Sequence, residues 1–466
     1  MNLDLYKYTY FVGIGGIGMS ALARYFNANK KIVMGYDAQQ TTLCNALVDE
    51  GIEIHYQDNI ANIPQEIITA DYNELLIVYT PAIPDNNQEL SYFEKNGYKI
   101  HKRAEVLGII SQKLYTIAVG GTHGKTTTCT MLAHILQEAG KQSTAFLGGI
   151  SKNFNSNLLL ANKGNILIVE ADEYDRSFLH LNPDVAIITS IDKDHLDIYE
   201  NYSKLEEAFI QFTQQIKKNG LLLVESDIDV AFEIPNNGDL WTYSNYKRAD
   251  YYADNIKGIN GKMIFDMVVL DLMSGMAYEN KRNNLELNMA GKHNVNNAIA
   301  AATIACYLGL SCEEITSGLK SFKGIKRRFE QHICTDKLVY IDDYAHHPQE
   351  INATVIAVKE MYPNRKITLI FQPHLYSRTQ NLSAEFATAL SSVDELIILD
   401  IYPAREDKIE GVDAKMLAEL CRNELKETCS KLELLSVLKT KELDVLLTMG
   451  AGDISTLVDP IKYMLN

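Results

Sequence analysis

The chain has 466 residues, of which 46% are apolar and 22% charged, and a globular chain of this length typically forms about three domains. A single small binding module and a disordered or fibrous protein are therefore excluded. The 60 acidic residues outnumber the 44 basic residues, and the resulting net charge of −16 repels nucleic acid polymers and anionic membranes at long range. We expect neither as a partner.

The seven cysteines are scattered and form no CxxC pair, which is typical of a protein in a reducing compartment. No apolar run reaches the length of about 18 residues that a membrane helix needs. We therefore expect a cytoplasmic location without membrane contact. The sequence leaves the oligomeric state open between a monomer and a homodimer.

Short apolar runs rich in β-branched residues alternate with helix-patterned segments along the whole chain. Such alternation predicts three α/β blocks built on largely parallel sheets. The segment from Trp241 to Met289 carries short strand-like pieces between Gly and Asn turns and predicts a β-rich insertion. The predicted strands are Tyr8 to Ile14, Lys31 to Tyr36, Leu75 to Tyr79, Tyr115 to Val119, Ile166 to Val169, Val185 to Ile191, Leu338 to Ile341, Lys366 to Phe371, Glu395 to Leu399 and Val445 to Met449.

Glycine loops at Gly13 and Gly120 each follow a predicted strand and open a predicted helix, so each is expected to start a domain. The basic stretch from Lys323 to Arg328 lies between a helical segment and a new strand, and we place a hinge there. The predicted domains are residues 1–113, 114–324 and 325–466.

The first glycine loop has Gly13, Gly15 and Gly18 in G-x-G-x-x-G spacing. Glycine at these positions allows a tight turn and a close approach to a pyrophosphate at a helix N-terminus. Asp37 ends the next predicted strand and is placed to accept from a ribose hydroxyl. The pattern fits a nicotinamide cofactor or any other nucleotide diphosphate, and a tight turn without a ligand is about equally compatible with it.

The second loop, GGTHGKTTT from Gly120, is more specific. Its backbone N–H groups can form an anion nest, Lys125 can reach the β- and γ-phosphates of a nucleotide, and the Thr126 hydroxyl can bind Mg²⁺. The loop is a shortened P-loop variant because Val119, rather than glycine, stands five residues before Gly124. A structural role alone explains it poorly.

Further candidate residues follow at strand ends. Glu170 ends an apolar run and is placed as a metal ligand beside the P-loop, whereas the carboxylates after it include residues of a solvated acidic turn. His195 leaves the next strand and could complete a magnesium site. Asn294 and Asn297 share one helix face and could read adenine, although Asn294 is also a good helix cap.

Two polar motifs of the last third, DDYAHHPQE from Asp342 and QPHLYSRT from Gln372, each follow a predicted strand. Open α/β sheets bind ligands at that edge. Asp343, His346 and His347 could suggest zinc, but no further ligand has convincing spacing, so a substrate site is favoured. Arg378 could bind a carboxylate through two hydrogen bonds, and the alternative is a surface arginine.

In this order, the motifs resemble those of the Mur ligase family nearly end to end. The second glycine loop and the His-Asn motif are shared by several Mur-type ligases, whereas DDYAHHP together with FQPHLYSRT resembles the alanine-adding members. The segments that carry the resemblance are GIGGIGMS from Gly13, GTHGKTTT from Gly121, EADEYDRSF from Glu170, DHLD from Asp194, GKHNVNNA from Gly291, RRFE from Arg327, DDYAHHP from Asp342, FQPHLYSRT from Phe371 and GAGDI from Gly450.

The resemblance implies an α/β protein of three domains: a Rossmann-like N-terminal domain for the UDP part of a substrate, a central P-loop ATPase domain, and a Rossmann-like C-terminal domain that receives an amino acid. It implies ATP-dependent joining of L-alanine to the lactyl carboxylate of UDP-N-acetylmuramate through an acyl phosphate, with Mg²⁺, in bacterial peptidoglycan precursor synthesis.

The resemblance also implies a set of site residues. For the UDP part of the substrate they are Gly13, Gly15, Gly16, Ile17, Gly18 and Asp37. For ATP they are Gly121, Thr122, His123, Gly124, Lys125, Thr126, Thr127, Asn294, Asn297, Arg327 and Asp343, and for magnesium Thr126, Glu170 and His195. For L-alanine they are Tyr344, His346, His374 and Arg378, and the expected catalytic set is Lys125, His195, Asp343, His346 and Arg378.

Two positions depart from the pattern. Leu375 stands where the family usually has an arginine after the histidine of FQPH, and Ser190 stands where an asparagine is frequent. The contacts of those side chains must therefore be absent or supplied differently. The group that takes the proton of the alanine amine is open between His346 and His374.

Three other functions fit part of the sequence. A recycling ligase that attaches a ready-made tripeptide to the same nucleotide sugar is the nearest. A nicotinamide-dependent oxidoreductase would account for Gly13, Gly15, Gly18 and Asp37 but leaves the second loop unexplained. A catalytically inactive nucleotide-binding regulator would be expected to have lost Lys125, Glu170 or His195.

Overall fold

The computed structural model describes residues 1–81, 83–192, 199, 201–234, 237–259, 261–273, 276–404 and 406–466, with the backbone alone for 271–273 and 276–279. Three sheets organise these residues, each with helices packed against it. No helix in the described ranges is long and apolar enough to cross a membrane. The three-domain α/β architecture predicted above is confirmed, whereas its boundaries near residues 113 and 324 remain a prediction.

The first sheet has the parallel strand order β3-β2-β1-β4-β5. Its central strands are apolar runs buried on both faces, as is usual for parallel sheets covered by helices. The strands are β1 (Tyr8–Val12), β2 (Ile32–Tyr36), β3 (Glu53–His55), β4 (Leu75–Tyr79) and β5 (Ile100–Lys102). The helices are α1 (Ile17–Ala28), α2 (Thr42–Asp49), α3 (Gln65–Ile68), α4 (Gln88–Lys95) and α5 (Arg103–Lys113), with short 3₁₀ turns at Leu3–Leu5 and Ile60–Asn62.

The second sheet has ten strands in the order β15-β14-β13-β12-β11-β10-β6-β9-β7-β8. Its strands are β6 (Tyr115–Gly120), β7 (Ser143–Ser151), β8 (Ser156–Leu159), β9 (Ile166–Ala171), β10 (Val185–Ile188), β11 (Leu221–Glu225), β12 (Asp239–Ser244), β13 (Tyr251–Ile259), β14 (Lys262–Met273) and β15 (Met276–Leu287). Its helices are α6 (Lys125–Glu138), α7 (Tyr202–Thr213), α8 (Lys292–Tyr307) and α9 (Cys312–Ser321), and Tyr174–His180 is a 3₁₀ segment. Because β6 lies between β9 and β10 in parallel, the ends of these two strands flank the loop that follows β6.

The third sheet has the order β16-β17-β21-β18-β19-β20, and only its edge strand β16 pairs antiparallel. Its strands are β16 (Glu330–Cys334), β17 (Val339–Asp343), β18 (Ile367–Phe371), β19 (Glu395–Leu399), β20 (Leu425–Cys429) and β21 (Val445–Met449). Its helices are α10 (Pro348–Met361), α11 (Tyr376–Asn381), α12 (Ser383–Leu390), α13 (Ala414–Leu420), α14 (Lys431–Leu438) and α15 (Val458–Leu465), with a 3₁₀ turn at Asp453–Leu457.

The chain forms two compact units. The first consists of Met1–Asp254, Asp266–Leu285 and Asn296–Phe322, and the second of Asn255–Phe265, Glu286–Val295 and Lys323–Asn466. The first sheet and the P-loop part of the second sheet therefore share one unit. The third sheet belongs to the other.

Within the first unit, Asn157 of β8 ties the second sheet to the first turn of α1. Its side-chain amide nitrogen donates to the Ile17 carbonyl over 2.6 Å and to the Ser20 hydroxyl over 2.9 Å. Its carbonyl oxygen accepts from Arg24, which also pairs with Glu50. Asn157 is fully buried, so these contacts are shielded from water. The helix that follows the first glycine loop is thus held at a fixed place on the second sheet.

The predicted strands are all present within a few residues, and Leu75–Tyr79, Glu395–Leu399 and Val445–Met449 have the predicted ends. The predicted β-rich insertion consists of strands β12 to β15, which extend the second sheet. The hairpin of β7 and β8 and several short or edge strands were not predicted from the sequence.

Candidate active site

The first glycine loop has the geometry that its spacing predicts. Gly13 adopts a φ of +89°, where a side chain would be strained, and its N–H donates to the Tyr36 carbonyl over 2.8 Å. The N–H of Gly15 donates to Asp37 Oδ2 over 2.8 Å, and Gly16 is the N-cap of α1. Asp37 therefore fixes the loop itself, and its expected contact with a ribose hydroxyl remains a prediction.

A cation from a distant part of the chain covers this loop. The guanidinium of Arg103, at the start of α5, lies so close to Gly18 that a Cβ atom there would be 2.8 Å from Nη1. Arg103 makes no hydrogen bond within the described part of the chain, and its ion pair with Asp172 is long, at 3.7 Å. Ile17, beside Gly18, is 37% exposed. A helix N-terminus and a guanidinium with free donors thus face the same space, which suits an anion.

The second glycine loop is held by the strand next to it. The N–H of Thr122 donates to the Ser190 carbonyl over 3.1 Å, and the N–H of His123 donates to the Ser190 hydroxyl over 2.8 Å. Gly121 and Gly124 have φ values of +131° and +85°, so both require glycine. Ser190, one of the two departures from the family pattern, therefore supports the loop with its own hydroxyl.

Lys125 is the first residue of α6, and 14% of its side chain is exposed. Its ammonium donates to Glu173 Oε2 and Oε1 over 2.7 and 2.9 Å and to the Gly121 carbonyl over 2.5 Å. Burial lowers the pKa of this ammonium, but the neighbouring carboxylates, Glu173 first, more than offset it and raise the pKa above its ordinary value. Lys125 is therefore a protonated cation within the anion-binding loop.

Thr126 and Glu170 form the described part of the predicted metal site. The Thr126 hydroxyl donates to Glu170 Oε2 over 3.1 Å, and Glu170 Oε1 accepts from the N–H of Gly148 over 2.6 Å. A hydroxyl and a carboxylate at this distance are oxygen ligands of the kind that Mg²⁺ prefers, so the residues fit this ion. The third predicted ligand, His195, lies outside the described residues. Within them, no three His, Cys, Asp or Glu side chains form a metal-binding group.

The remaining predicted ATP residues in this region lie in α6 and α8. Thr127 is buried in the first turn of α6. The amide of Asn297 contacts the loop: its Oδ1 accepts from the Thr128 hydroxyl over 3.3 Å, and a Cβ atom on Gly124 would approach it to 2.5 Å. Asn294 is buried, and its amide nitrogen donates to the Ala290 carbonyl over 2.6 Å. In this arrangement both amides bind protein groups.

Arg327 and Asp343, which the resemblance assigned to ATP, are both tied to the third sheet. Arg327 Nε donates to the buried Asp342 over 3.1 Å, and its Nη2 donates to the Gly450 carbonyl over 2.5 Å. The Asp343 carboxylate accepts from the N–H groups of Phe329 and Ala345, both over 2.8 Å. Burial raises the pKa of Asp343 to about 6.

The four predicted amino-acid residues come together at the ends of β17 and β18. The His346 ring lies 5.2 Å from that of Tyr344 and 5.9 Å from that of His374, measured between ring centres. Burial lowers the pKa of His346, and the positive charge of Arg378 contributes, so the imidazole is mainly neutral at pH 7. Arg378 Nη1 is buried and has no hydrogen-bond partner in the described ranges. An unsatisfied buried guanidinium nitrogen is costly, and a carboxylate would satisfy it.

Leu375, the second departure, lies at the start of α11 with a φ of +72°. This region is unfavourable for leucine and costs about 1 to 3 kcal/mol. Hydrogen bonds from Leu375 N to the Tyr402 carbonyl and from Thr379 N to the Leu375 carbonyl hold it there. The backbone therefore keeps its turn between His374 and Arg378 although the side chain differs from the usual arginine.

Sequence reasoning missed two residues of these sites. Glu173 was included among the acidic residues of a solvated turn, yet it is 1% exposed and binds Lys125. Arg103 was not considered because it follows the first glycine loop by more than 80 positions. The only available signal was Lys102–Arg103, two adjacent cations at a strand-to-helix junction.

The chain matches models of known protein families. Three family models match in succession: the catalytic domain of the Mur ligase family over residues 8–115, the Mur ligase middle domain over 119–305, and the Mur ligase glutamate ligase domain over 327–452.

Relatives with the name UDP-N-acetylmuramate–L-alanine ligase align over almost the full chain. The protein from Parabacteroides distasonis is 45% identical over 99% of this chain and 98% of its own length. The protein from Porphyromonas gingivalis is 46% identical over 98% of this chain and 99% of its own length.

Solved structures show the same fold. The UDP-N-acetylmuramate-alanine ligase of Thermotoga maritima superposes with a TM-score of 0.80 at 29% identity, over 98% of this chain and 99% of that chain. A murein peptide ligase of Psychrobacter arcticus has a TM-score of 0.70 at 23% identity, over 98% of both chains. The identities to the curated relatives extend over the whole chain, and the chain belongs to the Mur ligase family.

Proposed function

We propose that this protein is an ATP-dependent ligase that joins L-alanine to the lactyl carboxylate of UDP-N-acetylmuramate. The observation that carries the proposal is the presence, in one chain, of a glycine loop with Lys125, Thr126 and Glu170 and of a cluster with a buried, unsatisfied guanidinium nitrogen of Arg378. The names of the full-length relatives support the same substrates.

The first glycine loop would hold the diphosphate of the nucleotide sugar. Gly13, Gly15, Gly16 and Gly18 allow the close approach of the backbone, and the α1 N-terminus supplies a partial positive charge. Arg103 has free donors above Gly18 and would add a full charge. Asp37 would keep its bond to Gly15 and offer its other lone pairs to the ribose.

The second loop would hold ATP. The N–H groups of the loop other than those of Thr122 and His123, which bind Ser190, would surround the phosphates, and Lys125 would lie against the γ-phosphate. Mg²⁺, when bound, neutralises the charge of the transferring phosphoryl group, and Thr126, Glu170 and His195 would hold it. Asn294, Asn297, Arg327 and Asp343 remain proposed ATP contacts on the resemblance alone, since each binds protein groups here.

The reaction would begin when the lactyl carboxylate attacks the γ-phosphate, which gives an acyl phosphate and ADP. The alanine amine then attacks the acyl carbon, and inorganic phosphate leaves. Arg378 would bind the alanine carboxylate and fix the direction of the amine. His346 is the favoured acceptor of the amine proton because burial keeps its imidazole neutral at pH 7.

The test is alanine-dependent release of phosphate by the purified protein with ATP, Mg²⁺ and UDP-N-acetylmuramate. We expect release with L-alanine and none when alanine is omitted. A parallel reaction with the tripeptide L-Ala-γ-D-Glu-meso-diaminopimelate separates the recycling activity. Faster turnover with the tripeptide than with alanine, or no turnover with either, would overturn the proposal.

A further inference from the structure

The contacts of Lys125 leave its ammonium fully engaged before any nucleotide is bound. An ammonium has three hydrogens, and the Glu173 carboxylate and the Gly121 carbonyl accept them over 2.5 to 2.9 Å. A phosphate oxygen must therefore take over part of this arrangement. The phosphate would either displace Glu173 from the Lys125 ammonium or share the ammonium with it.

The burial of Glu173 decides between displacement and sharing. The residue is 1% exposed, so water cannot solvate its carboxylate if the ammonium departs. Separating the two charges of a buried ion pair is strongly unfavourable, because the protein interior solvates charge poorly. Lys125 is thus held near Glu173 even when a phosphate is present.

The chain around Glu173 is built to keep its carboxylate in this place. The Glu173 carbonyl accepts from the buried Tyr199 hydroxyl over 2.5 Å. Asp175 and Arg176 have φ values of +52° and +53°, so two successive residues bend the chain sharply after Glu173. The neighbouring carboxylates have other cationic partners: Asp172 lies 3.7 Å from Arg103, and Asp175 pairs with Lys102 over 2.7 Å.

We propose that Glu173 is a positioning residue that fixes the Lys125 ammonium between its own carboxylate and the γ-phosphate of ATP. Lys125 keeps one hydrogen bond to Glu173 and turns another donor towards the phosphate. The inference rests on the proposed function only for the identity of the nucleotide. It assigns Glu173 no contact with the substrate, since its effect passes through Lys125.

The test is a double-mutant cycle read on ATP binding by calorimetry in the presence of Mg²⁺. Glu173→Gln keeps the shape of the side chain and removes its charge. We expect it to weaken ATP binding about tenfold in the wild-type background and to have no further effect in the Lys125→Ala background. Because binding is measured without the second step, the result is valid even if the chain does not join alanine.

Turnover and stability provide further readouts. If the wild type is active, Glu173→Gln lowers kcat by about tenfold or more, because misplacing a group that acts in the transition state affects the chemical step. Lys125→Ala lowers the melting temperature, and the double variant recovers much of that loss because the buried negative charge that faced Lys125 is removed as well. Asp175→Asn is the matched control: it removes an acidic charge two residues away and is expected to leave ATP binding unchanged.

Two results would overturn the proposal. Tighter ATP binding by Glu173→Gln would show that Glu173 competes with the phosphate for Lys125. A loss of affinity of equal size in the wild-type and Lys125→Ala backgrounds would show that Glu173 acts independently of the lysine.

Discussion

The two glycine loops of this protein share one backbone device and differ in their side chains. Each follows the central strand of a parallel sheet and opens a helix. The first loop contains no charged residue, and the cation above it, Arg103, comes from another helix. The second loop carries its own cation, Lys125, and its own hydroxyl, Thr126. A loop whose role is to bind an anion can therefore rely on a cation from another helix. A loop that would take part in phosphoryl transfer carries the cation in its own sequence.

A buried glutamate near the second loop and one in the first domain also differ in the side chains that they face. Glu173 faces the Lys125 ammonium, so a charge balances a charge. Glu89, on α4 of the first domain, faces the Tyr10 hydroxyl over 2.6 Å and the His55 imidazole over 3.4 Å. Burial raises the pKa of Glu89 to about 7. One buried carboxylate faces a cation, whereas the other faces a hydroxyl and an imidazole.

The largest effect is expected for the loop lysine. Lys125→Ala removes the cation that would stabilise the transferring phosphoryl group, and turnover should fall by about 10³-fold or more. The measurement is alanine-dependent phosphate release, with Lys113→Ala as a control that removes an exposed cation. Full activity in folded Lys125→Ala protein would show that the second loop does not need its own cation for phosphoryl transfer.

The second prediction concerns the dependence of stability on pH. The folded-state pKa of Glu89 is raised from 4.5 to about 7, so its contribution to stability is complete below about pH 4.5 and is lost as the pH rises towards 7. The shift corresponds to about 3 kcal/mol. Glu89→Gln should remove this component, so that its melting temperature falls less than that of the wild type between pH 5 and 7.5. If the melting temperatures of the wild type and Glu89→Gln changed equally with pH, the raised pKa would not belong to Glu89.

A third prediction compares matched glycines. Gly124→Ala places a Cβ atom 2.5 Å from Asn297 Oδ1 at a φ of +85°, where alanine costs about 1 to 2 kcal/mol. We expect kcat/KM for ATP to fall by about 10 to 100-fold. Gly16→Ala lies in the other loop, has a φ of −64° and places its added carbon 3.8 Å from the nearest heavy atom, so it should leave kcat/KM for ATP unchanged when the nucleotide sugar is saturating. Equal kinetics for the two variants would show that the second loop tolerates a shift of its backbone.

The smallest effect is expected for Arg103, the cation that lies above the first loop. Arg103→Ala should raise KM for the nucleotide sugar about tenfold and leave KM for ATP unchanged, because one charge-assisted bond to the diphosphate is lost. Lys102→Ala is the control, since Lys102 is already paired with Asp175. An equal rise for both variants would indicate a general loss of positive charge.

Sequence patterns predicted the fold where burial leaves a strong signature. The strands Leu75–Tyr79, Glu395–Leu399 and Val445–Met449 are apolar runs buried within parallel sheets, and their ends were predicted correctly. The β7 and β8 hairpin was missed because its strands contain Gly, Ser and Asn, and β20 (LKETC) because an edge strand exposes polar side chains. Patterns of hydrophobicity do not mark such strands.

The site residues could be predicted where they stand in a loop sequence and not where folding brings them together. Lys125, Thr126 and Glu170 were found from spacing and strand position, and they lie together. EADEYD contains four carboxylates, and nothing in this local pattern marks Glu173 as the one that is buried against Lys125. Arg103 reaches the first loop through the packing of α5, which no local pattern encodes.

The hydrogen bonds between Asn157 and the first turn of α1 have a consequence for protein engineering. Its amide occupies acceptors in the first turn of α1, so the first domain is not an interchangeable module. A chimera that takes residues 1–113 from one relative and the rest from another would leave a buried amide facing a mismatched surface. Such chimeras should succeed only when the hairpin that contains Ser156–Leu159 is transferred together with the first domain.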